Sequence, residues 1–297
     1  MSFILETKSI TKVYLKGMPV LRDASIHVEK KSIYGIIGKP GAGKSTLLKI
    51  VSGIIRPDSG EVLFPGGRPG IGTLIDLPGI YPNLTAANNL AIKLKALGCY
   101  SKDNLEALIE RTGMGYWKNL KVRVFSKNML KKLGIALAVA GDPELILLDE
   151  PFQDLEKQEA EEAKTLIRNM AATGKHTFIL TAPVLESLSG LADRFGLLEN
   201  GTIIREDAEN GLSSHLPGHI VLRTNNIEGT KAVLDSLGIY AYQTKNAYTL
   251  HVMEQLDRSN DIIEALVSAG ISVYECAVVR EMTDEFYFSG GTGGDEA

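Results

Sequence analysis

Gly38–Thr46 reads GKPGAGKST, a full match to the pattern G-x-x-x-x-G-K-[ST]. Each residue type has a physical reason. Gly38, Gly41 and Gly43 let backbone N–H groups wrap a phosphate without Cβ clashes, and Lys39, Pro40 and Ala42 fill the variable positions between them. Lys44 can reach the β- and γ-phosphates as a point charge, and the Ser45 hydroxyl can ligate Mg²⁺. A helix starting near Ser45 and Thr46 points the positive end of its dipole at the anion. The flanks agree with this reading. Ser32–Ile37 is an apolar run leading into the first glycine, and Thr46–Ser52 is helical in pattern. A nucleoside triphosphate with Mg²⁺ is the expected ligand.

Leu145–Glu150 (LILLDE) supplies a second half of the site. An apolar strand, Glu144–Leu148, follows a Gly-Asp-Pro turn and delivers Asp149 to its carboxyl end, where open α/β sheets bind ligands. Asp149 is the candidate Mg²⁺ ligand, and Glu150 the candidate general base for an attacking water. Thr177–Thr181 reads as a further buried strand. Helices are expected at Ala86–Leu97 capped by Thr85, at Asp103–Arg111 capped by Ser101, and at Asn128–Ala140. Strands alternating with helices predict an α/β fold, the parallel sheet of a P-loop NTPase, over residues 1–210 with a helical insertion at about 85–140.

Beyond this, 211–218 has linker composition. The order that follows is Ile220–Thr224 (strand), Ile227–Leu237 (helix), Ile239–Gln243 and Tyr248–Met253 (strands), Ser259–Ala269 (helix) and Ile271–Val279 (strand). That β-α-β-β-α-β series predicts a small ferredoxin-like α+β domain over 219–288, with a flexible tail at 289–297.

Composition excludes several classes. With 44% hydrophobic and 23% charged residues the chain is neither disordered nor a coiled coil. Its net charge of −4 provides no field for nucleic acid, which is not an expected partner. Cys99 and Cys276 cannot build a disulfide framework or a thiolate metal cluster. No apolar run approaches the roughly 20 residues that span a bilayer, and no secretory leader is read at the N-terminus. A cytoplasmic protein is expected.

Other segments carry a resemblance. Tyr14 lies 30 residues before Lys44, in TKVYLKGMPVLRDASIHVEKKSIYGIIG. Ile71–Leu84 (IGTLIDLPGIYPNL), Phe125–Ala136 (FSKNMLKKLGIA), GDPELILLDEP, Leu191–Asn200 (LADRFGLLEN) and the closing EMTDEFYFSGG follow in register. The whole chain resembles the ATP-binding subunits of ABC transporters, most of all the branch exporting bacitracin-type and lantibiotic peptides or drugs. The resemblance implies that Tyr14 stacks on adenine and that two cassettes, alike or different, pair head to tail. Each ATP would lie between one loop and the other cassette's signature, here Ser126 and Asn128. It also implies a membrane-spanning permease subunit touched by the helical insertion and the 76–85 segment, hence a peripheral place on the inner membrane face.

The departures from that family fall on groups that handle the γ-phosphate. Asp76 stands where a glutamine is usual; it remains a candidate Mg²⁺ ligand but adds negative charge. The signature glycines align with Lys127 and Asn128, its glutamine with Met129, and Glu156 takes the place of a dimer-contact aspartate. Lys127, Lys131 and Lys132 read as a solvated basic face. The switch histidine aligns with Pro183, which offers no donor. His176 precedes its strand and lies roughly 20 Å from that edge at ~3.3 Å per residue. His215 belongs to the linker, and His27, His219 and His251 read as surface or half-buried strand residues. The expected function is therefore ATP·Mg binding coupled to export with slow hydrolysis. The alternatives are a non-hydrolysing scaffold or regulatory cassette, and the degenerate half of a heterodimer.

Overall fold

The elements run in chain order β1 (Phe3–Val13), β2 (Pro19–Ala24), β3 (His27–Glu29), β4 (Ile33–Ile37), α1 (Lys44–Ser52), β5 (Ser59–Leu63) and β6 (Ile71–Leu74). Next come α2 (Ala86–Ala96), α3 (Lys102–Arg111), α4 (Lys127–Val139), β7 (Leu145–Leu148), α5 (Lys157–Ala172), β8 (Thr177–Ala182), β9 (Arg194–Glu199) and β10 (Thr202–Ala208). The computed structural model describes residues 2–14, 17–76, 79–208, 219–253, 255 and 258–279. The chain divides into two compact units, Met1–Glu209 and Asn210–Ala297.

In the first unit a six-stranded sheet has the order β10-β9-β4-β8-β7-β6. All neighbours are parallel except β10, which runs antiparallel to β9 along the edge. Every residue of β4, β7 and β8 is buried, as expected for strands covered on both faces. The carboxyl ends of β4 and β7 thus open side by side with β8 between them.

A second sheet, β2-β1-β3 with β5 also paired to β1, is antiparallel and was not foreshadowed by the sequence pattern. The cause lies in β1. Ser9 has φ +51°, and register shifts interrupt its pairing with all three partners, so the alternation of buried and exposed positions breaks midway. Leu5, Ile10, Leu21 and Ile26 from this sheet pack with Ile36, Leu47 and Leu48 in one core. The glycine loop between β4 and α1 is therefore seated between two sheets. Near the start of β4, the buried Tyr34 hydroxyl donates to Glu206 Oε1 at 2.5 Å, and burial, reinforced by the Glu206 charge, pushes its pKa well above the ordinary value.

The helical insertion starts where capping chemistry places it. Thr85, Ser101 and Ser126 accept from the N–H groups of Asn88, Asn104 and Met129. Residue 127 is thus the first of α4, one earlier than expected, because Ser126 caps it. Among the described residues no helix is long and apolar enough to cross a membrane.

The second unit comprises β11 (His219–Thr224), α6 (Ile227–Ser236), β12 (Tyr242–Thr244), β13 (Thr249–Val252), α7 (Ser259–Ser268) and β14 (Val273–Val279). The β-α-β-β-α-β element order is present. The sheet order is β12-β13-β11-β14 with every pairing antiparallel. Ile220, Leu222, Leu234, Leu250, Ile262 and Leu266 form its core.

Two boundaries differ from expectation for one reason. Ile239 and Ile271, read as strand starts, instead close the preceding helices. Gly238 and Gly270 take positive φ, and the N–H groups of Ile239 and Ile271 bond back to Leu234 O and Leu266 O. This is a Schellman cap with its apolar residue tucked into the core. The expected linker at 211–218, the tail at 289–297 and the segment EMTDEFYFSGG lie outside the described residues.

Candidate functional site

The loop after β4 wraps its own lysine. Lys44 is only 4% exposed; its Nζ donates to Gly38 O (2.6 Å) and Lys39 O (3.2 Å) and pairs with Glu150 Oε1 at 3.1 Å. Gly41 has φ +84° with open space where a Cβ would stand. Gly43 has φ +109°, and a Cβ there would meet Leu21 at 2.7 Å and Val20 O at 2.8 Å. The loop thus presses on β2 at one glycine and leaves a cradle at the other.

The start of α1 has no side-chain cap, unlike α2, α3 and α4. Its first turn, Lys44, Ser45 and Thr46, lines a cavity of about 700 Å³ together with Asp76, Asp149 and Glu150. Uncapped N–H groups at a helix start facing a cavity form an anion site. Tyr14, just past β1, is 51% exposed, and its hydroxyl lies 3.5 Å from Thr46 Oγ1, beside the loop.

The end of β7 is gripped from β8. The Thr181 hydroxyl donates to Asp149 Oδ1 (2.6 Å) and accepts from the Glu150 N–H (2.8 Å). Sequence reading passed over Thr181, because nothing in a strand residue's type reveals which neighbouring strand it faces. Glu150 sits at φ +44°, a left-handed conformation unusual for a side-chain-bearing residue. Asp76 also has positive φ, +58°, and its Oδ2 pairs with Lys49 Nζ at 2.7 Å. The hydrogen bond that Lys49 donates to Asp76 raises the Lys49 pKa.

Ser45, Asp76 and Asp149 offer the hard oxygen donors that suit magnesium. Among the described residues no three His, Cys or acidic side chains converge as an all-protein metal site. Magnesium is commonly held by one or two carboxylates together with phosphate and water.

Of the basic face expected on α4, Lys127 is exposed as read, while Lys131 and Lys132 are engaged. Lys131 Nζ donates to the Glu150 carbonyl oxygen (2.7 Å), Lys132 pairs with Glu162 (2.6 Å) and lies over the Trp117 ring, and Lys127 stands 3.9 Å from Asp154. Burial pushes the Lys131 pKa down, opposed by Glu150, Asp154 and Asp149. Asn128 is turned sideways: its Nδ2 donates to Glu159 Oε1 (2.7 Å), and its Oδ1 is buried without a hydrogen bond. Glu159 also accepts from the Glu156 N–H, the residue before α5. Ser126 holds its hydroxyl on the Met129 N–H, 3.3 Å away.

Pro183 directly follows β8, at the same sheet edge as Asp149 and Glu150. The buried His176 is bound at the opposite end of β8, to Pro143 O (2.8 Å), and His27 pairs with Glu206. His219 and His251 belong to the second unit, and His215 lies outside the described residues.

Residues 21–153 match the family described as ABC transporter. The lantibiotic transport ATP-binding protein SrtF of Streptococcus pyogenes is 31% identical over 70% of this chain and 92% of that protein. The chain belongs to the ABC-transporter ATP-binding proteins. Within this ABC ATPase family, ATP hydrolysis is coupled to transport. Likeness extends over 99% of the chain and all of the bacitracin transport ATP-binding protein BcrA of Bacillus licheniformis, at 27% identity. The fold is shared with the ATP-binding cassette MJ0796, solved as a dimer in a post-hydrolysis state with ADP and phosphate. The TM-score is 0.62 and the identity 22%, covering 69% of this chain and 98% of that one. The ABC cassette accounts for the first unit, and the match to the bacitracin protein continues through the second.

Proposed function

We propose that this ABC cassette binds ATP·Mg²⁺ and powers export of an antimicrobial peptide or drug through a separate membrane-spanning permease, with slow hydrolysis of its own. One observation carries the reading: a buried lysine inside a glycine loop, ion-paired across the cavity to the acid that follows β7, two strands away in the sheet. The cargo class comes from the bacitracin and lantibiotic relatives. Docking on a permease would place the subunit on the inner face of the membrane.

In this reading the loop residues 38–46 hold the phosphates and Tyr14 covers the adenine. Ser45, Asp149 and Asp76 are the magnesium ligands. When bound, the ion neutralises charge on the β- and γ-phosphates. Lys44 exchanges its pairing with Glu150 for the phosphates, which frees the Glu150 carboxylate to take a proton from water. A second cassette supplies its signature, and Ser126 and Asn128 of this chain face the second cassette's nucleotide.

The slow rate follows from missing donors. Pro183 has no side-chain donor, and the Asn128 amide is engaged by Glu159 instead of lying flat as glycine would. Loss of one preorganised donor costs about 10²–10³ in rate. The engaged Asn128 also favours a second reading, pairing with a different cassette whose intact signature completes one good site. The test is phosphate release from MgATP by the purified chain. Slow turnover that Glu150→Gln removes supports the proposal; turnover equal to that of a cassette with intact signature and switch histidine refutes it.

A further inference from the structure

Glu150 is held by more than its side chain. Its N–H is fixed by Thr181 on β8, its carboxylate by Lys44 in the loop, and its carbonyl by Lys131 on α4. The third contact is unlike the other two, because α4 belongs to the helical insertion rather than to the sheet. The Glu150 φ of +44° turns the peptide after it out of the line of β7. A left-handed residue with a side chain is strained and persists only where the surroundings hold it. A charged donor at 2.7 Å on a carbonyl is among the stronger means of holding it.

We propose that Lys131 is a positioning residue: its ammonium, clamped on the Glu150 carbonyl, fixes the turned backbone that aims the Glu150 carboxylate at the phosphate loop, so that α4 sets the alignment of the base. The proposal rests on the reading of Glu150 as general base. Three observations support the assignment. Lys131 lines the same cavity as Lys44 and Glu150. It is half-buried, so its bond to the carbonyl is not exchanged freely for water. On either side of Lys131, α4 is also tied to α5, the helix that follows the 149–154 segment, through Asn128 to Glu159 and Lys132 to Glu162, so a tilt of α4 is carried to both flanks of that segment.

The test compares wild type, Lys131→Met, Lys131→Arg and Glu150→Gln in the full chain by single-turnover hydrolysis, fluorescent-ATP titration and amide hydrogen exchange. Lys131→Met is expected to slow the chemical step about tenfold or more, since misplacing a reacting group by an ångström costs up to about 10²-fold. ATP·Mg²⁺ affinity should stay within about twofold. Lys131→Arg, which keeps the charge and the donor, should recover most of the rate. Exchange in the 149–154 segment should accelerate in Lys131→Met with or without nucleotide.

A Lys131→Met rate within about twofold of wild type overturns the proposal, as does a loss of affinity in step with the rate. If wild type shows no turnover that depends on Glu150, the base assignment itself fails. Exchange then decides the Lys131 clamp alone, and unchanged exchange in the 149–154 segment overturns it.

Discussion

Thr181 makes two hydrogen bonds with one hydroxyl, one to each acidic residue at the end of β7. Thr181→Val keeps the shape but leaves a buried N–H and a carboxylate oxygen unpaired, a cost of about 1–3 kcal/mol. Urea denaturation should show a lower midpoint with an unchanged slope. At Pro183 the expectation runs the other way. Pro183→His combined with Asn128→Gly restores a donor and a flat approach, and phosphate release should rise at least about tenfold. An unchanged rate would mean that other residues limit the chemistry. The loop and the LILLDE strand were legible in the sequence because phosphate and metal chemistry demand particular residue types at fixed spacing. Thr181 and Lys131 were not, since their roles arise from contacts with residues 149–150 that only the folded sheet and insertion bring close. Lys131 and Lys132 were misread as solvated for the same reason: their partners, the Glu150 carbonyl and the Glu162 carboxylate, lie on other elements.

The starts of α2, α3 and α4 were placed to within a residue, whereas α5, which begins behind Glu156, was not read from the sequence, and capping explains the difference. A serine or threonine before an apolar-periodic run is a local signal, and Thr85, Ser101 and Ser126 all act as N-caps. Ser101→Ala should therefore destabilise the first unit by about 1 kcal/mol, read from its denaturation midpoint. Helix ends followed by Gly-Ile were ambiguous, because an isoleucine after a glycine looks like the start of a strand. In this protein it is the apolar plug of the cap. Gly238→Ala, forced into φ +74°, should cost roughly 1–2 kcal/mol in the second unit. The antiparallel sheet was hidden by the bends of β1, which erase the period-two pattern over the length of one strand.

Among the described residues, the core around Ile10, Leu21 and Leu48 in the first compact unit shares no residue with the core around Leu222 and Leu250 in the second. All residues assigned to nucleotide lie in the first unit. A ligand that binds only the native state stabilises it by about 2.7 kcal/mol at a hundred times its Kd. Scanning calorimetry with saturating ATP·Mg²⁺ should raise the transition of the first unit and leave that of the second in place. A common shift of both would show that the two units unfold as one cooperative body. The family assignment, the glycine loop and the paired carboxylates all converge on one physical claim, that Lys44 and the backbone around it grip a triphosphate. Isothermal titration of the purified chain with ATP tests this most directly. The account predicts magnesium-dependent binding at one site per chain that Lys44→Ala weakens by about 10²-fold or more. Absence of magnesium-dependent uptake, or uptake unchanged by Lys44→Ala, would contradict it.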